Sequence, residues 1–176
     1  MGATSQGHAA SGPKTAPSAI PSGSAQVSLM AYLPTTLRLS ISSLNLDVAV
    51  LDSAQPLAIV SVPVTSFWTL NSSTSNVQLV GYFDAPESAL SNGAGHAIPS
   101  NHVLGGLAGS PSLPFTETTS VGGPRASRVF FQQPIGKGNV SSSRIDLLQI
   151  RIASIVDLGA PEGNYHGILH LRLVAF

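Results

Sequence analysis

Apolar and polar residues alternate with a period of two along most of the chain from Gln26 onward. This period is typical of β-strands with one face against a core, because successive side chains of a strand point to opposite sides of its sheet. Ranges with this pattern or with short apolar runs are residues 27–33, 37–41, 47–51, 57–62, 64–70, 77–83, 102–107, 114–118, 128–133, 143–152 and 167–176. A helical period of 3.6 does not persist over twelve positions anywhere, so we predict an all-β protein.

Turn residues divide these ranges into short strands. Pro63 cannot donate to a ladder and predicts an edge position or a bulge. The polar residues 71–76 predict a hairpin between residues 67–71 and 77–84. Residues 85–101 form a long loop in which residues 86–90 could make one helical turn. Strands at intervals of about eight to twelve residues favour an immunoglobulin-like antiparallel β-sandwich of about 8–10 short strands.

The first 25 residues differ from the rest, since they consist almost entirely of Gly, Ala, Ser, Thr and Pro. Such a segment buries too little apolar surface to offset the entropy of ordering it. We predict a flexible tail over residues 1–25 and a β-sandwich domain over residues 26–176.

Large residues at inward positions of the predicted strands form the candidate core. Trp68, the only tryptophan, is placed where a sandwich needs a bulky side chain. Tyr165 follows a Pro-x-Gly-x turn and is a candidate corner residue. The full set is Trp68, Phe83, Tyr165, Leu169, Leu171 and Leu173.

Composition limits the partners. Only 9% of the 176 residues are charged and the formal net charge is zero, so we expect no binding to nucleic acid. A neutral surface also favours self-association. The chain contains no cysteine, and no apolar run reaches the ~20 residues that span a bilayer, so we expect no membrane insertion. The surface rich in Ser, Thr, Asn and Gln is common in secreted proteins, and we expect a mature extracellular or cell-surface protein.

Several short motifs resemble those of known proteins. The stretch Pro161-Glu162-Gly163-Asn164-Tyr165 followed by an alternating final strand resembles the end of many bacterial immunoglobulin-like domains. Together with Trp68-Thr69-Leu70-Asn71, Val80-Gly81-Tyr82-Phe83 and Ser143-Arg144-Ile145-Asp146, it resembles uncharacterised secreted bacterial β-sandwich proteins. The layout is more distantly similar to spore coat protein U-type pilins of the archaic chaperone-usher class. Those pilins commonly carry cysteines, which this chain lacks.

The pilin resemblance implies polymerisation by donor-strand exchange, with a periplasmic chaperone and outer-membrane assembly machinery as further partners. An N-terminal strand of one subunit would then complete the sandwich of the next by β-augmentation. The implied donor face consists of Val27, Leu29, Ala31 and Leu33. The same strand could instead fold back in cis as the first strand of its own domain, and the sequence leaves both arrangements open.

Catalytic patterns are not evident in the sequence. His96 and His102 lie near Asp84 and Glu87 along the chain, which could supply a His-His-carboxylate metal site, but loop polar residues explain them better. A Gly-x-Ser-x-Gly elbow is also missing. We therefore predict no catalytic, cofactor or metal site and a protein that is not an enzyme.

Two functions are compatible with these observations. The first is a structural subunit that assembles into a surface fibre or pilus-like polymer by donating its N-terminal strand. The alternative is a monomeric secreted adhesion module that binds a glycan or a protein through a recognition loop containing Tyr82, His96 and His102.

Overall fold

The computed structural model describes residues 36–41, 43–50, 57–71, 73–136, 140–153 and 158–176, all within a compact unit that extends from Tyr32 to Phe176. Within these ranges the strands are β1 (Thr36–Leu39), β2 (Ser43–Val50), β3 (Leu57–Leu70), β4 (Asn76–Tyr82), β5 (Leu90–Ser91), β6 (Ala97–Ile98), β7 (Val103–Leu107), β8 (Leu113–Pro114), β9 (Ser127–Pro134), β10 (Val140–Ile152) and β11 (Gly163–Ala175). Two single-turn 3₁₀ helices, Pro86–Ser88 and Ser100–His102, lie between them.

The strands form two antiparallel sheets. The first sheet has the order β1-β3-β10-β7-β8. In the second sheet, β11 pairs with β2 on one edge and with β4 and β5 on the other. The register shows this, since His170 is opposite Ser43 of β2 and Tyr82 of β4, and His166 is opposite Asp47 of β2 and Ser91 of β5. Strand β9 continues that sheet beyond β4, and β6 continues it beyond β5. The prediction of an all-β antiparallel sandwich is confirmed.

The order of the strands is that of a jelly roll. Apart from β1, β5 and β6, eight strands remain, and they pair first with last: β2 with β11, β3 with β10, β4 with β9 and β7 with β8. The chain thus folds as a long two-stranded ribbon whose successive pairs fall alternately in the two sheets. An immunoglobulin-like sandwich, which the sequence analysis favoured, has its last two strands side by side in one sheet. Here β10 and β11 lie in different sheets.

This topology corrects one local prediction and agrees with another. The predicted hairpin between residues 67–71 and 77–84 is wrong, because β3 and β4 belong to different sheets. The segment between them connects the first sheet to the second. Pro63 does not end its strand and lies inside the continuous β3. Strand β1 pairs with β3 only as far as Ser66, and Ser40 bonds Thr65. Pro63 therefore lies just beyond the end of β1, at an edge with no partner among the described residues, which agrees with the predicted edge position. The missing N–H therefore costs no ladder bond.

The core lies between the two sheets and contains the inward residues that the alternation indicated. Trp68, Phe83, Tyr165, Leu169, Leu171 and Leu173 are all buried. Phe115 adds an aromatic cluster, since its ring packs edge-on against Phe83 at 5.0 Å and Phe130 at 5.9 Å between centroids. Gly105 admits this cluster, because a Cβ there would lie 2.8 Å from the Phe115 ring.

An ion pair lies on the inner face of β10. Arg144 donates from Nε to both carboxylate oxygens of Asp146 at 2.9 and 2.7 Å, and its guanidinium stacks over the Phe131 ring at 4.4 Å. The side chain of Asp146 is only 10% exposed, whereas that of Arg144 is 37% exposed. The pair therefore places a carboxylate inside the sandwich and keeps its cation at the boundary with solvent.

Tyr165 fastens the turn that precedes β11. Its hydroxyl donates to the carbonyl of Pro161 at 3.1 Å, four residues earlier, while its ring is fully buried. This is the geometry of a tyrosine corner. Burial also raises the pKa of the Tyr165 phenol above its usual value.

Tyr165→Phe should lower the free energy of unfolding by about 1 kcal/mol at neutral pH, because it removes one partly buried hydrogen bond. The folded protein holds the phenolic proton more tightly than the unfolded chain does, so this contribution is complete below about pH 10 and is lost as the pH rises further. Urea unfolding of both proteins across this range measures the difference. A difference that grows above pH 10 would contradict the assignment.

Candidate strand-docking site

One part of β11 has an edge without a neighbour among the described residues. Strand β2 begins at Ser43, opposite His170, so it covers β11 only over residues 163–170. Residues 171–175 pair with β4 on the other edge. Phe176 exchanges both backbone bonds with Asn76 of β4, so the alternate residues Leu171, Leu173 and Ala175 direct their N–H and C=O groups towards the edge that β2 has left.

The local sequence around Ser40 explains why the edge is open. The backbone N–H of Ser40 donates to the Thr65 carbonyl at 2.9 Å, and its hydroxyl accepts from the Thr65 N–H at 2.8 Å. Both bonds hold β1 in the first sheet up to residue 40. The chain then crosses between the sheets and joins the second one only at Ser43.

A groove with an apolar floor lies between β1 and the open part of β11. Leu37 and Leu39 are partly buried and pack against the core from β1, and Leu171 and Leu173 face them from β11. These four leucines, together with Arg38 and Arg172, line a cavity of about 220 Å³. The side of the sandwich is thus open where the two sheet edges diverge.

Two polar atoms on the strand beside this groove have no hydrogen-bond partner among the described residues. They are Ser66 Oγ and Trp68 Nε1, which are buried. Ser66 is paired with Leu39 and Trp68 with Leu37, so both lie next to the residues that line the groove. Buried donors and acceptors are normally satisfied, and an extended backbone in this groove would bring carbonyl and amide groups to the same region.

These features suit the docking of one more strand. An extended segment beside residues 171–175 could exchange backbone bonds with Leu171, Leu173 and Ala175 and place every second side chain over the apolar floor. The predicted donor residues Val27, Leu29, Ala31 and Leu33 have such an alternation, and they lie outside the described residues. Sequence reasoning identified Leu171 and Leu173 as core residues but did not indicate that they also line a groove.

A second, more polar cavity of about 290 Å³ lies where the loop after β4 approaches β11. Asp84 and His166 supply its ionisable groups, and Ala89 and Gly167 are in close contact at its base. His166 also bonds Asp47, and His170 Nε2 lies 3.2 Å from Asp84 Oδ2. Within the described part of the chain, no group of three or more His, Asp or Glu side chains is arranged to hold a metal ion.

The three residues predicted for a recognition loop do not line this cavity. Tyr82 stacks on His170 with 5.1 Å between the ring centroids. His96 is exposed between β5 and β6, and its N–H bonds the side chain of Asn92. His102 is half-buried at the end of its 3₁₀ turn.

Comparisons with known proteins place no family name on this arrangement. The chain matches no protein-family model, no curated protein and no solved structure. The resemblance to secreted bacterial sandwiches and to spore coat U-type pilins therefore stays a prediction. The described residues include no helix that is long and apolar enough to cross a membrane. Fold and groove together define a jelly-roll sandwich with an incomplete edge.

Proposed function

We propose that this protein is a non-enzymatic extracellular structural subunit that assembles by donating residues 26–33 to the groove of a neighbouring copy. The observation that carries the proposal is the open edge of β11 at residues 171–175, which runs along an apolar groove. The same chain contains an alternating apolar segment suited to that groove. Periplasmic chaperone and outer-membrane assembly partners, implied by the pilin resemblance, belong to the same proposal.

The chemistry of donor and acceptor is complementary. Val27, Leu29, Ala31 and Leu33 share one face of the donor, so they would contact Leu37, Leu39 and the inner face of β11. Residues 26–33 contain no charged side chain, so Arg38 and Arg172 beside the groove would meet no like charge. Burial of a Leu or Val side chain contributes roughly 1.5–3 kcal/mol.

The sequence around Pro34 favours donation in trans over folding back in cis. Only Pro34 and Thr35 separate Leu33 from β1. A tight hairpin would make them its two-residue loop, and the favoured hairpin turns need a positive φ at the first loop position, which proline cannot adopt. Such a hairpin would also pair with β1 in the first sheet and leave the β11 edge open. A strand from another copy can run antiparallel to β11, as β2 does.

Donor and acceptor occupy different parts of each subunit, so the contact is head to tail. A head-to-tail contact produces an open fibre unless its rotation closes a ring.

The donor is tested by comparing Leu29→Asp with Ser28→Asp in the full-length protein. Leu29 would face the apolar groove and Ser28 would face away, so both variants add the same charge at adjacent positions. We expect Leu29→Asp to abolish the head-to-tail oligomers of the 18.0 kDa chain, because a carboxylate without a partner is costly to bury. Ser28→Asp should retain the oligomers. Light scattering after size-exclusion chromatography, with electron microscopy of the same samples, gives the mass and shape.

The acceptor is tested by Ala175→Pro. The Ala175 N–H faces the open edge, so proline removes a donor to the incoming strand but no bond to β4. Weakened assembly with an unchanged unfolding midpoint of the monomer supports the proposal. A wild-type protein that is monomeric and loses stability with Leu29→Asp would overturn it, since the segment would then act in cis. That result would favour the alternative, a monomeric adhesion module that binds a glycan or a protein through the loop containing Tyr82, His96 and His102, and a glycan array would test it.

A further inference from the structure

Strand β10 has a second open edge, on the opposite side of the first sheet. Strand β7 pairs with β10 only over residues 148–152, whereas β3 pairs with β10 from Val140 onward. Leu147 accepts a bond from the Ala108 N–H on the β7 side, so the alternate residues Ser141, Ser143 and Ile145 direct their backbone groups to that side as well. No described residue pairs with them there.

The side chains along this edge are apolar or hydroxylic on the outer face of the sheet. Ile145 is 75% exposed, the highest value among the large apolar residues of the described chain. Leu147 and, on β3, Phe67 are exposed beside it at 41% and 37%. The outward positions from Ser141 to Gln149 carry no charge, because Arg144 and Asp146 are on the inner face and bond each other. A long, uncharged edge of this kind is a template for pairing with another strand.

From this edge we infer that two copies of the protein pair through β10, antiparallel and centred on Ser143, so that the first sheets of both copies form one continuous sheet. In this register Ser143 is opposite Ser143 of the second copy, and Ile145 is opposite Ser141. Arg144 then lies opposite Ser142 and meets no like charge. The pairing uses residues 140–146, which are free of β7 in both copies.

Registers shifted towards the β7 end of β10 are excluded by charge and by space, and a shift to Ser142 would pair only residues 140–144 of the described edge. Centring the pair on Arg144 would place two guanidinium groups opposite each other, and like charges directly opposite are destabilising. Centring it on Ile145 would require the backbone of Leu147, which is already bonded to Ala108. The register centred on Ser143 therefore pairs the most residues without opposing like charges, and such a self-complementary edge fits a second copy of this chain. The contact is isologous and closes a dimer, whereas strand donation would extend a fibre.

Because the natural chain has no cysteine, disulfide trapping can test the register directly. Residues opposite each other at a hydrogen-bonded antiparallel position have Cα atoms about 5.5 Å apart, which suits a disulfide. In the full-length Leu29→Asp background, which removes strand donation, Ser143→Cys should form covalent dimers under mild oxidation. When the Ser141→Cys and Ile145→Cys proteins are mixed, the disulfide dimer that contains one of each should form faster than the covalent dimer of either variant with itself. Ser91→Cys, on an exposed strand of the other sheet, is the control.

Charge at the edge gives an independent readout. Ile145→Lys should weaken dimerisation by about tenfold, because lysine is unfavourable at a strand edge that must pair. Ile168→Lys makes the same change at a 50% exposed position of β11 and should leave the dimer unchanged. The inference would be overturned if Ser143→Cys formed covalent dimers no faster than Ser91→Cys. It would also be overturned if Ile145→Lys and Ile168→Lys weakened dimerisation equally. Either result leaves strand donation unaffected, since that site uses β1 and β11.

Discussion

Replacing Gly167 by alanine is expected to lower the free energy of unfolding by about 3 kcal/mol, at the upper end of the range for overpacking. A Cβ at this position would overlap the carbonyl oxygen of Ala89 and the Leu90 side chain. The backbone of Ala89 cannot move aside, because β5 begins at Leu90 and pairs with both β6 and β11. Urea unfolding followed by tryptophan fluorescence gives the change, since Trp68 is buried in the same core.

The matched control for this substitution is Gly136→Ala. Gly136 is exposed, and a Cβ there would have no atom within 4 Å. The unfolding free energy of the Gly136→Ala variant should differ from that of the wild type by less than about 1 kcal/mol. Equal losses for both variants would show that the loop after β4 yields and that the close approach to β11 is not a constraint.

Replacing Arg144 by methionine is expected to cost about 3 kcal/mol, and replacing Asp146 by alanine should cost less. Without Arg144, the Asp146 carboxylate stays inside the sandwich with no partner, and an unpaired buried charge is strongly destabilising. Without Asp146, the half-exposed guanidinium can turn to solvent and keep its contact with Phe131. Loss of Arg144 is therefore expected to cost more stability than loss of Asp146, because the Asp146 side chain is the more buried of the two.

A double-mutant cycle separates the pair from its surroundings. The variant with both substitutions should be more stable than Arg144→Met alone, because it contains no orphaned carboxylate. Thermal and urea unfolding of the wild type and the three variants supply the cycle. If the double variant is the least stable of the four, Arg144 acts mainly through packing on Phe131.

The inward faces of the strands could be predicted from sequence because burial follows the two-residue period. The period places Val64, Ser66 and Leu70 on the same face of their strand as the predicted core residue Trp68, and all four are buried. Asp146 breaks the pattern, because it occupies an inward position among the apolar residues Leu148, Ile150 and Ile152 of its strand, where a charged residue is not expected. It does face inward, and the reason is the guanidinium of Arg144 two residues earlier, which alternation alone cannot reveal.

Strand pairing could not be predicted, because alternation shows which face is buried and not which strand lies beside it. The hairpin expected between residues 67–71 and 77–84 failed for this reason. The groove was also beyond sequence reasoning, since it arises where the chain leaves one sheet at Ser40 and enters the other at Ser43. Its floor residues Leu171 and Leu173 look like ordinary core residues along the sequence.

The pairing of β2 with β11 also governs when the domain can fold. The contact between Asp47 and His166 joins residues 119 positions apart, so the second sheet has a high contact order. Such long-range pairings form slowly, because a large loop must close before any bond is gained. The second sheet remains incomplete until the last thirteen-residue strand has been synthesised. Until β11 is available, the edges of β2 and β4 that it joins have no partner from this strand, so closure of the second sheet must follow synthesis of β11.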